Sequence, residues 1–182
     1  MMMMDLINTR TLAVTLSCLL VGASAQTCDD GQFTSVSLCT HNVAAGKDTT
    51  QRSTYNQDGK SENAVNGNTS GYWATRSCAG TSWSTNPWWS VDLGASYQVG
   101  SIQIYNRVDG NLGQRLLGAK VLAGTAADPL DNEVIGTIGS TEILDNPIVF
   151  TLDKTVTDVS VRLPGVNKLL TLCEVEVYGV PL

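Results

Sequence analysis

Two arginines and an aspartate stand together in one short segment, RVDGNLGQR at 107–115. A guanidinium group is planar and donates several hydrogen bonds in fixed directions, which suits the neighbouring hydroxyl groups of a sugar-like ligand. Asp109 is placed to hold Arg107 in one rotamer, and Arg115 closes the segment. Taken alone, the segment is more typical of ordinary surface arginines on a turn, so the rest of the sequence must show whether these arginines bind a ligand.

A tryptophan in a polar loop, Trp83 in GTSWST, is the second candidate binding residue. No strand pattern surrounds it, and an exposed indole is costly unless it has a partner or a ligand. Indole faces stack well on the C–H faces of sugars, whereas the structural alternative is packing beneath its own loop. The sequence leaves these two alternatives open.

An Asn- and Gly-rich segment, SENAVNGN at 61–68, has the composition of a turn whose oxygen atoms face inward. Ca²⁺ is bound by six to eight oxygens from carboxylates, amides and backbone carbonyls. We therefore expect a calcium-binding turn here, with a plain metal-free turn as the alternative.

Charge and motif content exclude several classes of protein. The 182-residue chain has a formal net charge of −6 and no basic cluster, which argues against binding to nucleic acid or to anionic membranes. His41 is the chain's one histidine, and neither a phosphate-binding glycine loop nor an HExxH sequence is present. The sequence predicts a binding module and not an enzyme.

The N-terminus has the features of a secretory signal peptide. Arg10 precedes an apolar run at 11–22 that is too short to span a bilayer, and Ala23-Ser24-Ala25 is a small-residue cleavage site. We predict a signal peptide at 1–25, secretion, and no membrane insertion. Four cysteines follow, an even number suited to an oxidising compartment, with three pairings possible: Cys28, Cys39, Cys78 and Cys173.

Short apolar runs between Gly, Asn, Asp and Pro residues predict an all-β fold, with no convincing helical period. Within NPWWSVDLG at 86–94, Trp89, Val91 and Leu93 alternate with Ser90 and Asp92, so we expect the first three to face inward. In LCEVEVYG at 172–179 the inward residues would be Cys173, Val175 and Val177, with Glu174 and Glu176 facing the other way. The candidate strands are 88–93, 99–106, 117–122, 133–138, 147–152, 156–163 and 172–178.

NPWWSVDLG, YNRVDGNLGQR and LCEVEVYG, in this order, resemble the F-type lectin (fucolectin) domain, a discoidin-like sugar-binding module. The resemblance covers about 42–179. It implies an eight-stranded antiparallel jelly-roll β-sandwich over 42–182, with binding loops at one end. Residues 26–41 would then form an N-terminal extension tied by its own disulfide.

The resemblance also implies a carbohydrate site. Arg107 and Asp109 match the family pattern, Trp73 falls where the family has a pocket aromatic, and Gly80 falls where the family has a histidine. Arg115 arrives one residue late, and Gly110-Asn111 replaces an adjacent cysteine pair. Together with Trp83, the predicted site is Arg107, Asp109, Arg115, Trp73, Trp83 and Gly80. Because these differences remove or shift groups that would touch the sugar, we expect specificity shifted from L-fucose, or weaker for it, towards other hexoses or N-acetylhexosamines.

The same resemblance implies a Cys78–Cys173 disulfide, which leaves Cys28 with Cys39. It implies a structural Ca²⁺ held by Asn63, Asn66, Asn68, Ser77, Cys173 and Glu174, several of them through backbone oxygen. The predicted protein is a secreted, calcium-containing lectin that recognises terminal fucose or a related sugar through an Arg-rich loop pocket and forms a homo-oligomer for avidity. The alternative is a discoidin-type adhesion module that binds a protein or cell surface without sugar specificity.

Overall fold

A computed structural model describes residues 41–182 of the chain. The predicted signal peptide, the N-terminal extension up to residue 40 and the Cys28–Cys39 disulfide lie outside these residues. Across 41–182, no helix has the length and apolar character that a bilayer crossing requires.

Nine strands and five short 3₁₀ helices make up this part of the chain. The strands are β1 (His41–Asn42), β2 (Asp48–Gln51), β3 (Ala79–Gly80), β4 (Trp88–Tyr105), β5 (Lys120–Gly124), β6 (Glu133–Thr137), β7 (Ile148–Arg162), β8 (Thr171–Leu172) and β9 (Glu174–Pro181). The 3₁₀ helices are Ser61–Val65, Trp73–Thr75, Asp109–Leu116, Pro129–Asp131 and Glu142–Leu144.

All strand pairs within residues 41–182 are antiparallel. The large sheet has the order β1-β9-β4-β7-β5-β6, with β2 paired to β4, and β3 pairs with β8 in a small second sheet. The all-β antiparallel class predicted from the short apolar runs is thus confirmed. The short 3₁₀ helices lie in the connections between strands. Irregular backbone in such connections can present side chains to a ligand.

The two longest strands each join two of the predicted ones. Candidate strands 88–93 and 99–106 form the continuous β4, and 147–152 and 156–163 form β7. The Gly94-Ala95-Ser96 sequence is typical of a break between strands, but β4 passes through it with shifts of register against β7 instead. Irregularities of this kind bend a strand while its two halves keep their backbone partners, so β4 stays continuous.

The alternating apolar residues of β4 face the core, as predicted. Trp89, Val91 and Leu93 are all buried. Ser90, predicted to face outward, is also buried, and its Oγ donates to the carbonyl of Val159 (3.2 Å). Ser160 Oγ donates to Ser90 Oγ (2.9 Å) and also contacts the carbonyl of Pro129 (3.2 Å). The Pro129 segment therefore covers the opposite face of β4 at this point.

The disulfide between Cys78 and Cys173 is present, as the family resemblance implied. It joins cysteines 95 residues apart in the sequence. Cys78 precedes β3, and Cys173 lies between β8 and β9, so the bond ties the small sheet to the large one. It also brings Ser77 and Glu174, the immediate neighbours of the two cysteines, to the same region of the fold.

Candidate functional site

A cavity of about 290 Å³ contains four of the six residues predicted to bind a sugar. Both arginines and both candidate tryptophans line it, although they lie up to 42 residues apart in sequence. The full lining is Tyr55, Trp73, Trp83, Arg107, Leu112, Arg115, Leu169 and Thr171.

Asp109 holds Arg107 in place by a two-point contact. Arg107 Nε donates to Oδ1 of Asp109 at 2.8 Å, and Nη2 donates to Oδ2 at 2.5 Å. The backbone N–H of Trp73 also donates to Oδ1, at 3.3 Å. These hydrogen bonds, with Arg107 first, lower the pKa of Asp109 to about 2 and outweigh the opposing effect of burial. Asp109 therefore orients Arg107, as its spacing predicted.

Each arginine lies over the face of a tryptophan. The Cζ atom of Arg107 is 5.0 Å from the centroid of the Trp73 ring, and that of Arg115 is 5.6 Å from the centroid of the Trp83 ring. These separations fall within the range of cation–π attraction. Trp83 is 54% exposed, so it is not packed beneath its own loop. The rings of Tyr55 and Trp73 form a T-shaped pair, with centroids 6.1 Å apart and planes inclined at 80°.

Gly80 lies beneath Trp73 and not on the cavity wall. A Cβ atom at Gly80 would be 2.7 Å from Cη2 and 2.8 Å from Cζ3 of Trp73. A Cβ at Gly59 would meet the same ring at 2.8 Å. The prediction that Gly80 belongs to the binding surface is therefore corrected. Gly80 leaves room for the indole, because a side chain at this position would overlap the ring of Trp73.

The loop between the two arginines supplies an apolar wall. Gly110 and Asn111 have φ of 59° and 58°, a left-handed pair that interrupts the 3₁₀ helix Asp109–Leu116. Leu112 follows this kink and lines the cavity with Leu169. These two leucines give the cavity an apolar surface.

Four lining residues were missed by the sequence analysis: Tyr55, Leu112, Leu169 and Thr171. Leu112 could have been found from its position between the two arginines. The others come from distant segments that share no local pattern with the arginine loop.

Glu174 is fully buried, whereas the alternation of its strand predicted that it would face outward. Its Oε1 accepts a hydrogen bond from the backbone N–H of Gly67 at 3.0 Å, because the Asn-rich turn covers this part of β9. Oε2 is also buried and has no hydrogen-bond partner in the described part of the chain. Burial raises the pKa of Glu174 to about 7.

The other predicted calcium ligands surround the same region. Asn63 Nδ2 donates to the carbonyl of Cys78 at 3.1 Å, which ties the 3₁₀ helix Ser61–Val65 to the disulfide. Ser77 is buried, and its Oγ contacts the carbonyls of Ser70 and Tyr72.

Asn66 and Asn68 are both exposed, and their side chains make local turn contacts. Asn66 Oδ1 accepts from the N–H of Asn68 at 2.9 Å, and Asn68 Oδ1 accepts from the N–H of Ser70 at 3.1 Å. The structure therefore brings the Asn-rich turn, Ser77 and Glu174 together, with Glu174 as the one carboxylate among the predicted ligands.

Comparison with known proteins places residues 63–163 in a family described as the NedA-like, galactose-binding domain. The chain is 36% identical over 122 residues to fucolectin-6 of Anguilla japonica, a match that covers 63% of this chain and 61% of that protein. It thus spans about three fifths of the length of this curated relative.

Two solved structures extend the likeness. The f-lectin (fucolectin) from the serum of Morone saxatilis, the striped bass, superposes with a TM-score of 0.73 at 36% identity, over 79% of this chain and 50% of that one. A Streptococcus pneumoniae fucose binding module superposes with a TM-score of 0.67 at 31% identity, over 76% of this chain and 97% of the module. These similar proteins are lectins and binding modules, which confirms the prediction that the chain is not an enzyme.

Proposed function

Because the chain belongs to the F-type lectin (fucolectin) family, we propose that it binds terminal fucose or a related sugar in the cavity between Trp73 and Trp83. The observation that carries this proposal is the pairing of each arginine with a tryptophan face at the cavity. Guanidinium donors and aromatic faces are the two surfaces that a sugar ring, with its hydroxyl groups and C–H faces, requires.

Arg107 is the central contact. Asp109 takes two of its N–H donors and leaves the others for sugar hydroxyl groups. Its side chain is 11% exposed, so the guanidinium is largely shielded from water, which strengthens its hydrogen bonds. Arg115 supplies a second set of donors at the Trp83 side of the cavity.

The specificity of this cavity is shifted from L-fucose, or is weaker for it. Gly80 stands where the family has its pocket histidine, and losing the polar interaction of that side chain from a small site costs roughly 1–3 kcal/mol. Leu112 and Leu169 add an apolar wall, and Trp83 adds a stacking face that suits other hexoses or N-acetylhexosamines.

A structural Ca²⁺ is part of the proposed protein. The support is Glu174, whose buried Oε2 has no partner in the described residues, next to a turn rich in amide and carbonyl oxygens. Asn63, Asn66, Asn68, Ser77, Cys173 and Glu174 would hold the ion through side-chain and backbone oxygens, the ligands that Ca²⁺ prefers. Bound there, the ion would neutralise the buried carboxylate and fix the loop that leads to Trp73.

Secretion and assembly complete the proposal. The sequence at 1–25 supports export, and the disulfide supports an oxidising compartment. A single small cavity gives little affinity, so we propose that several copies act together on one glycan surface.

The test of this function is glycan-array binding by the purified chain and by Arg107→Ala. The variant loses all array signal, because it removes the guanidinium at the centre of the cavity. Arg76→Ala is the matched control: Arg76 is an exposed arginine paired with Asp58 and lies outside the cavity lining. Full-strength binding by Arg107→Ala contradicts the site. Adhesion to cells that no sugar inhibits supports the protein-binding alternative instead.

A further inference from the structure

The cavity has an excess of one positive charge. Of its two arginines, Arg107 is neutralised by Asp109. Arg115 has no carboxylate within 4.0 Å among residues 41–182, where the ion pairs involve other cations. The remaining lining residues are aromatic, aliphatic or, in Thr171, neutral.

The position of Arg115 is set by an aromatic ring and not by an acid. Its guanidinium lies over Trp83, 5.6 Å from the ring centroid. Stacking restrains the group without occupying its N–H donors, so its charge and its hydrogen bonds both remain available to a ligand. Arg107, in contrast, has already given two donors to Asp109.

The acidic character of the whole chain does not cancel this local charge. The formal net charge is −6, but interactions between exposed charges are largely screened beyond about 8 Å at physiological ionic strength. Asp109 is the acid beside the cavity, and both of its oxygens accept hydrogen bonds, from Arg107 and from the N–H of Trp73. A ligand near Arg115 therefore meets a cation that has no carboxylate within 4.0 Å among residues 41–182.

Building on the proposed sugar-binding function, we propose that the preferred ligand is an anionic sugar, a pyranose bearing a carboxylate or a sulfate group, and that Arg115 binds the anion. Hydrogen bonds between a guanidinium and an anionic oxygen are roughly twice as strong as neutral ones. A carboxylate and a sulfate would both accept such hydrogen bonds from Arg115, so each group is tested in its own arm of the experiment.

The experiment measures calorimetric affinities for matched neutral and acidic sugars in buffer containing Ca²⁺. One arm compares L-fucose with a monosulfated L-fucose, and the other compares D-galactose with D-galacturonic acid. In at least one arm the acidic sugar binds about tenfold more tightly at low salt, as expected when a charge-assisted bond replaces a neutral one. The advantage shrinks as the salt concentration rises.

Arg115→Gln identifies the residue responsible. In this variant the affinities for the acidic and neutral sugars converge to within about twofold, whereas the control Arg76→Gln keeps the wild-type ratio. Thermal melting of both variants checks that they are folded.

Equal affinity for acidic and neutral sugars in the wild-type chain overturns the inference and leaves the proposed function intact. An acidic preference that persists in Arg115→Gln also overturns it, because another group would then bind the anion. A wild-type chain that binds none of the four sugars also overturns the inference, whereas the proposed function falls only if the glycan array shows no binding to any sugar.

Discussion

At the scale of single residues, Arg107 and Arg115 have different partners although both are arginines. Arg107 is held by two hydrogen bonds to Asp109 and by the face of Trp73. Arg115 contacts Trp83 and keeps its donors. In the proposed site, Arg107 would orient the sugar ring, and Arg115 would bind the anionic group that the ring carries.

Sugar binding should change little between about pH 5 and about pH 8. Arg107 lowers the pKa of Asp109 from 3.8 to about 2, so the ion pair is fully formed above the ordinary pKa and is lost as pH falls towards 2. The cavity lining within residues 41–182 contains no histidine, the usual group that titrates near pH 6.5. Calorimetry with excess Ca²⁺ across this range checks the expectation. Loss of binding with a midpoint near pH 6 would reveal another titrating group in the site.

Substituting Gly80→Ala should destabilise the fold by about 1–3 kcal/mol, because a Cβ there overpacks against the ring of Trp73. In a Trp73→Ala background the same substitution should cost much less, since the ring that it meets is gone. Urea unfolding of the single and double variants measures this coupling. Equal costs in both backgrounds would show that Gly80 is required for some other reason.

At the scale of elements, the Asn-rich turn and strand β9 depend on each other. The turn buries Glu174, and Glu174 in turn accepts the N–H of Gly67. The Cys78–Cys173 disulfide brings Ser77 to the same region, so the turn, Ser77 and the start of β9 form one oxygen-rich region. A cation would stabilise all three together.

Added Ca²⁺ should raise the melting temperature relative to chelator, and Glu174→Gln should abolish the difference. An ion that binds the folded state alone stabilises it by about 2.7 kcal/mol when present at about one hundred times its Kd. Glu62→Gln is the control, because Glu62 is exposed, pairs with Lys60 and is not a proposed ligand. Identical melts of the wild-type chain with calcium and with chelator would leave the turn as a metal-free turn.

At the scale of the molecule, the β-sandwich provides a rigid frame, and the cavity lies on the irregular segments between its strands. One cavity of about 290 Å³ has room for little more than a terminal sugar. Under the proposed function, strong attachment to a glycan surface would depend on the number of cavities that bind at once.

Binding to a glycan-coated surface should exceed the affinity for the soluble sugar by about 10²–10⁴, if the chain forms the proposed homo-oligomer. Light scattering gives the mass of the assembly, and surface binding is compared with calorimetry on the free sugar. A chain that is monomeric by scattering, with equal surface and solution affinities, would contradict the proposed avidity.

Features that depend on neighbouring residues were available from the sequence. The period of two in Trp89, Val91 and Leu93 predicted the buried face of β4, and the spacing of Arg107 and Asp109 predicted their contact. Both are local: alternation follows from the pleat of one strand, and two residues separated by one are within reach of each other in a turn. The order of the three longer motifs was sufficient to recognise the family and its fold.

Long-range packing settled what the sequence left open. Whether Ser90 and Glu174 face water depends on the segments that cover them, and neither the Pro129 segment nor the Asn-rich turn is their neighbour in sequence. Trp73 meets Arg107 across 34 residues, and Gly80 is a glycine because that ring lies above it. A strand's alternation assigns each side chain to a face, but the tertiary fold determines which faces are covered and which side chains meet there.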